Sequence, residues 1–371
     1  VQDTSRKVYS GIYLDANASE RLRPEAREAV LAALELAGNP ASIHAAGRAA
    51  RRVLEESRAV IGAAVGAAAT EVTFCSGGTE ANAMAIASLG AGRRVLVGAT
   101  EHDAVRANAP GAEVLPVRGD GTLDLAALEA TLQRGPASLV CIMLANNETG
   151  VLHPVVEVAA LCRAHGARLH VDAVQALGRV TVDRGALGAD SLALSGHKVG
   201  GPKGAGALVH GPGVEIRALI AGGGQERGRR GGTPGLPAVA GFAAAARAAC
   251  DGNALPGLRD RMEAAAVASG AVVCGGGARL GNTTCLALPG IRAETQVIAL
   301  DLAGIAVSAG AACSSGKVTE SHVLAAMGLG ALASCAIRVS LPWNASEADA
   351  DMFILTYRAM ADRLRASQAA A

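Results

Sequence analysis

From about Pro24 to Ala249, short apolar runs of β-type composition alternate with stretches whose apolar residues recur every three or four positions. The β-type runs are "EVTFC", "RVLVG", "AEVLPV", "SLVCIML", "ARLHVD", "SLALS" and "GALVH". Helical periodicity marks "AGRAARRVLEESRAVIGAAVG", "TEANAMAIASL" and "PVVEVAALCRAHG" between them, and "PEAREAVLAALELAG" opens on a first-turn proline and closes on Gly38. Strands that alternate with helices predict an α/β fold, a mainly parallel sheet covered on both faces, with ligands gathered beyond the carboxyl ends of the strands. After Cys250 the texture changes to a helix near 255–269, a strand "TTCLAL", a helix near "ETQVIALDLAG", a small-residue loop, the strand "AIRVSL" and a final helix from about Ser346. The expected organisation is a large domain over 15–250 and a smaller α+β domain built from 1–14 and 251–371.

Composition narrows the possibilities. The chain has 371 residues, a net charge of +1 and eight cysteines without a CxxC pair. Neither a zinc site nor a disulfide framework is indicated, so no metal is expected and a reducing, cytoplasmic setting fits. No apolar run reaches the roughly 20 residues of a membrane span, and the first residues lack the pattern of a signal peptide. Balanced charge and only seven aromatic residues argue against nucleic-acid binding, which needs a basic face or stacking platforms.

Lysine is the informative residue. Lys7, Lys198, Lys203 and Lys317 are the only lysines among 34 basic residues. Two of them fall in "LSGHKVGGPKGAG", a glycine-rich loop that misses the phosphate-loop template because Pro202 stands where lysine should follow the second glycine. "GAACSSGKV" at 310–318 misses it too. Where arginine is the default cation, a lysine in a tight loop points to deprotonation and attack on a carbonyl, and Lys198 is the candidate for a Schiff base. A plain surface turn is the alternative.

Four other segments bear on that choice. Asp172 ends the apolar run "ARLHVD", where a carboxylate needs a cation or strong donor; a pyridinium nitrogen would serve, as would a structural turn. "FCSGGTEAN" reads as strand, glycine turn and helix, which aims the amides of Gly77, Gly78 and Thr79 at an anion, unless Thr79 is only a cap. His102 follows one β run, and Asn146, Asn147 and Glu148 follow another, positions that suit a polar ligand or ordinary turn chemistry. Cys313 differs from the other cysteines: from Ser308 to Gly316 its neighbours are only alanine, glycine and serine, the composition of a loop able to carry a thiolate to and from a substrate.

Taken together, "SGGTEAN", "TEHDAV", "NNETG", "HVDAVQALG", "SGHKVGGPKGAGAL", "GGGQERGRRGGT" and "SAGAACSSG" resemble, in order, the cysteine desulfurases of the class V aminotransferase family. The resemblance implies fold type I of the transferases dependent on pyridoxal 5'-phosphate. Lys198 would then carry the cofactor and move the Cα proton of the substrate, Asp172 would hold the pyridine nitrogen protonated, and His102 would stack on the ring and take part in proton transfer. Gln175 would bond the phenolic oxygen. Gly78, Thr79, Ser195 and His197 would hold the phosphate together with Thr233 from the neighbouring subunit, which implies a homodimer. Asn147, placed against the cofactor as well, would hold the carboxylate of L-cysteine with Arg338, and Asn17 would line the same pocket. Cys313 would take the sulfur as a persulfide and pass it to an acceptor protein, an iron-sulfur scaffold or sulfur carrier. The long stretch around Cys313 resembles the branch that serves iron-sulfur cluster assembly or nitrogenase maturation. A class V aminotransferase or selenocysteine lyase would share the cofactor residues without depending on Cys313; a non-catalytic assembly partner would have no use for them.

Overall fold

The computed structural model describes residues 11–136, 138–249, 255–310 and 320–369; Cys313, Cys250 and Lys317 lie outside them. Thirteen strands are found among these residues, in three sheets. In chain order they are β1 (Ile12–Tyr13), β2 (Val72–Cys75), β3 (Arg94–Gly98), β4 (Glu113–Leu115), β5 (Ser138–Met143), β6 (Arg168–Asp172), β7 (Ser191–Ser195) and β8 (Gly206–His210). Then follow β9 (Val272–Val273), β10 (Thr283–Ala287), β11 (Ile305–Ala306), β12 (Ser308–Ala309) and β13 (Ala336–Ser340).

The large sheet has seven strands in the order β2-β8-β7-β6-β5-β3-β4. Strands β4, β3, β5, β6 and β7 run parallel to one another, whereas β8 is antiparallel to both of its neighbours. The apolar runs coincide with these strands because both sheet faces are covered, so strands such as β5 and β7 are buried along their whole length. The core beneath the helices combines Val140, Val171 and Leu192 of the sheet with Leu54 and Ile61 of helix Ala45–Ala64 and Phe242 of helix Leu236–Ala249. A second core joins Leu14, Leu286 and Val339 to helix Glu347–Ala369, whose Phe353 and Tyr357 rings lie 5.4 Å apart. It covers the antiparallel sheet β12-β13-β10-β9 and the parallel pair β1-β11. Among the described residues no helix is long and apolar enough to cross a membrane.

Two local expectations are corrected. The first helix spans Pro24–Leu34 and stops short of Gly38. Glu35 closes it, and Gly38 instead abuts the second helix so tightly that a Cβ there would lie 2.0 Å from the Ala46 carbonyl oxygen. The run "AEVLPV" supplies only the three residues of β4, because Pro116 follows and has no N–H for a ladder.

An ion pair lies along the β2 edge of the large sheet. Arg58 and Glu226 are both nearly inaccessible and meet in two bonds, Nη1 to Oε2 at 2.6 Å and Nη2 to Oε1 at 2.8 Å. Arg58 Nη1 also donates to the Val72 carbonyl at 3.1 Å, and Glu226 Oε2 accepts from the Phe74 N–H at 2.8 Å. The pair therefore satisfies the Val72 carbonyl and the Phe74 N–H on the outer side of β2. Glu226 reaches it from a strained turn, with φ of 48° at Glu226 and 59° at Arg227; two such residues cost roughly 1–2 kcal/mol each.

Candidate active site

At the carboxyl ends of β5, β6 and β7 lies a cavity of about 350 Å³. Asp172 ends β6 and Ser195 ends β7, after which a single tight turn, Gly196–Lys198, carries His197 and Lys198. Helix Gly78–Leu89 starts at the same edge and brings Gly78 and Thr79. His102 follows β3, Asn147 and Glu148 follow β5, and Gln175 lies three residues past β6. Arg338 comes from β13 of the other sheet and Asn17 from the segment after β1. Of the residues expected from the sequence, the fold brings these eleven around one cavity: Lys198, Asp172, His102, Gln175, Gly78, Thr79, Ser195, His197, Asn147, Arg338 and Asn17. Thr233 is exposed and does not line it within the chain. Cys313 lies outside the described residues, but Gly310, three positions before it, is part of the wall.

Lys198 sits under an array of carbonyls. Its Nζ donates to Asn17 O at 2.6 Å and to Ala18 O at 3.1 Å. Burial, then the Arg338 and Arg179 guanidinium groups, push the amine down to about 7, while Asp15 and Asp172 act the other way. A lysine with that value is about half neutral at pH 7 and can attack a carbonyl carbon. The neutral fraction grows with pH, so capture of an aldehyde by the protein without cofactor should rise as pH passes upward through about 7. A stopped-flow pH series measures this; a midpoint in the ordinary lysine range, above 10, would contradict the site as described.

Asp172 is buried at 7% exposure. Its Oδ1 accepts from the Val174 N–H at 2.9 Å and its Oδ2 from Asn82 Nδ2 at 2.8 Å. Burial raises its affinity for a proton; the two donors, and then His102 and Lys198, oppose that. No cation lies within hydrogen-bonding distance among the described residues, so a cationic ring nitrogen would complete its surroundings. His102 caps the short helix Asp103–Arg106, with Nδ1 accepting from the Ala104 N–H at 3.0 Å, which leaves the ring proton on Nε2. Burial lowers its affinity for a second proton.

The start of helix Gly78–Leu89 offers first-turn N–H groups that have no acceptor inside the helix. Glu80 in that turn would repel an anion, but Arg230 neutralises it at 2.9 Å, and its other oxygen holds the Ser76 N–H at 2.7 Å. Burial and the neighbouring lysines push His197 down to about 4, so the ring is neutral at pH 7 and its Nδ1 pairs with Ser19 Oγ at 3.0 Å. Gly78 is fixed by space, since a Cβ there would lie 2.6 Å from Val174 Cγ2.

Arg338 is anchored by Asp15 at 2.8 Å and donates from Nη1 to Asn147 O at 3.3 Å, and its buried Nε has no partner. Asn17 lines the cavity, yet its amide is spent on the protein: Nδ2 donates to Asn147 O at 3.0 Å and Thr283 Oγ1 at 2.9 Å. Its backbone oxygen does the work in the cavity, accepting from Lys198 and from Gln175 Nε2 at 3.0 Å. Gln175 Oε1 accepts from Arg179.

Sequence reasoning missed two residues here, Asn82 and Arg179, and left the state of Glu148 open. Asn82 stands one helical turn past Gly78, a spacing that could have marked it. Arg179 is buried beside Glu20, 3.9 Å away, and its Nη2 donates to the Lys198 carbonyl at 3.4 Å. Glu148 carries a carboxyl that burial raises to about 7, with Ser321 Oγ donating to Oε2 at 2.6 Å. Arg179 belongs to no local pattern that sets it apart, whereas Glu148 was marked by its place after β5 but not by its burial.

Comparison with known proteins agrees with this geometry. The family model for class-V aminotransferases matches residues 12–353. A cysteine desulfurase of Cereibacter sphaeroides is 43% identical, covering 96% of this chain and 97% of its own. An IscS-like cysteine desulfurase of Mycobacterium tuberculosis is 37% identical, covering 91% and 93%. Among solved structures, a NifS-like protein from Rickettsia africae superposes with a TM-score of 0.88 at 33% identity, over 95% of this chain and 99% of that one. The chain belongs to the class-V aminotransferase family, whose members depend on pyridoxal phosphate. Within that family it stands among the cysteine desulfurases.

Proposed function

We propose that the protein is a cysteine desulfurase that converts L-cysteine to L-alanine and transfers the sulfur to its own Cys313. The overall change balances: the substrate C–S bond breaks, an S–S bond forms at Cys313, and alanine leaves. The observation that carries this is the Lys198 amine, lowered to about 7, in one cavity with a buried Asp172 that has no hydrogen-bonded cation among the described residues.

The residues fit pyridoxal phosphate. Lys198 would hold its aldehyde carbon, Asp172 its ring nitrogen, Gln175 its phenolic oxygen, and Gly78, Thr79, Ser195 and His197 its phosphate, with His102 and Asn147 against the ring. When bound, the cofactor supplies an electron sink for the pair left at the substrate's Cα. Arg338, whose orientation Asp15 fixes, presents guanidinium N–H groups to the substrate carboxylate, and Asn147 shares that end of the cavity. Lys198 Nζ takes the Cα proton and returns it, a role its near-neutral pKa favours. His102, with its proton on Nε2, is placed to donate to a leaving group. Cys313 supplies the attacking sulfur.

A homodimer is part of this reading: by the family resemblance Thr233, exposed and away from the cavity of its own chain, would reach the phosphate in a second subunit. The onward acceptor is a sulfur-carrier or iron-sulfur scaffold protein. Six free, buried cysteines among the described residues suit a reducing, cytoplasmic setting.

The test is to incubate the purified holoprotein with L-cysteine and map modified residues by mass spectrometry, with and without prior borohydride. A persulfide at Cys313 and a reduced cofactor adduct at Lys198 are expected. A persulfide elsewhere, or an adduct on Lys203, would sink the assignment.

A further inference from the structure

Behind Asp172 runs a line of buried polar side chains with no part in the chemistry assigned above. Asn82 donates from Nδ2 to Asp172 Oδ2 at 2.8 Å, and its Oδ1 lies 2.8 Å from His170 Nε2. His170 Nδ1 in turn lies 2.8 Å from Ser191 Oγ. Asn82, His170 and Ser191 are each fully buried. The fold produces the line directly. His170 and Asp172 are two residues apart on β6 and so share a face. Ser191 stands opposite His170 on β7, and Asn82 reaches down from helix Gly78–Leu89, which lies over that face.

One constraint fixes the sense of every bond. An ionised carboxylate only accepts, so Asn82 must present its NH2 to Asp172 and its carbonyl oxygen to His170. That oxygen also only accepts, so the imidazole proton is on Nε2. A neutral imidazole then has a bare Nδ1, which accepts from the Ser191 hydroxyl. Burial keeps His170 neutral by holding it down to about 4. All three donors therefore point toward Asp172, an alignment in which each bond polarises the next.

We propose that Asn82, His170 and Ser191 form a positioning relay that keeps Asp172 ionised and in a single orientation toward the ring nitrogen of the bound cofactor. It rests on the reading of the cavity as a pyridoxal phosphate site. The relay fixes Oδ2 while the Val174 N–H fixes Oδ1, so the carboxylate plane cannot turn. His102, Lys198 and Glu101 also act on Asp172 through their charge, but none of them touches the relay through a described hydrogen bond. Its removal is therefore separable from theirs.

The experiment titrates apoprotein with pyridoxal phosphate, following cofactor affinity and the visible absorbance band across pH, for wild type, Asn82→Leu, His170→Phe, His170→Gln and Ser191→Ala. Circular dichroism reports the folded fraction. Asn82→Leu and His170→Phe should lose roughly tenfold in affinity, the size of a hydrogen bond to a charged group, and their band should titrate at a different pH. His170→Gln can still donate to Asn82 and should recover part of the loss, and Ser191→Ala should show a smaller one. Folded variants that bind with wild-type affinity and an unchanged band would overturn the relay, leaving it a packing feature. If the two severe variants do not fold, Ser191→Ala at wild-type affinity and band position has the same force. A wild-type protein that takes up no cofactor would overturn the functional reading and the relay together.

Discussion

Replacing Lys198 with alanine should lower alanine production from L-cysteine by roughly a thousandfold or more, because one substitution removes both the covalent tether and the proton carrier. The cavity holds no substitute among its described residues. Lys203, the other lysine of the loop, is exposed and lines neighbouring spaces rather than this cavity. His102 has its Nδ1 committed to the Ala104 N–H. Two further signs should accompany the loss: the cofactor of Lys198→Ala should be removable by dialysis, and small primary amines should restore part of the turnover. Near-normal turnover in this variant, with borohydride labelling at Lys203, would show that the wrong lysine had been chosen.

Cys313→Ala should abolish persulfide formation and lower sulfur transfer by at least about a hundredfold, while cofactor uptake stays at the wild-type level. The reason is division of labour. On the proposed assignment, the groups that hold the cofactor belong to the ends of β6 and β7 and the start of helix Gly78–Leu89, whereas the attacking sulfur is assigned to Cys313 alone. Parallel assays for alanine and for bound sulfane sulfur make the comparison. A variant that still released sulfur from cysteine at the wild-type rate would favour an enzyme that shares the cofactor residues but needs no thiol, such as a selenocysteine lyase.

Much of the architecture could be read from apolar runs, since a strand buried on both faces must be nearly continuous in apolar residues; β5 and β7 were marked in this way to within a residue. The direction of β8 was not legible. Its run "GALVH" looks like the others, and only the tight glycine loop before it turns the chain back antiparallel to β7. The two-residue strands β1, β9, β11 and β12 carry too little pattern to be seen, as their pairing is decided by distant contacts. In the site, residues at strand ends stood out by being polar where apolar ones were expected. Arg179 did not, because a buried charge reveals itself only through the carbonyls and carboxylate that surround it. His170 was hidden for a related reason: on the sequence it is one more residue inside a strand, and its partners come from another strand and a helix.

The guanidinium and carboxylate laid along the border of β2 have a bearing on how this molecule meets others. An uncovered strand border is an invitation to further strands, and hence to fibrous or swapped association. Here the Val72 carbonyl and the Phe74 N–H are already bonded to Arg58 and Glu226. Any neighbour approaching from that flank must therefore bind through side chains and loops, and it can leave again without tearing a β ladder.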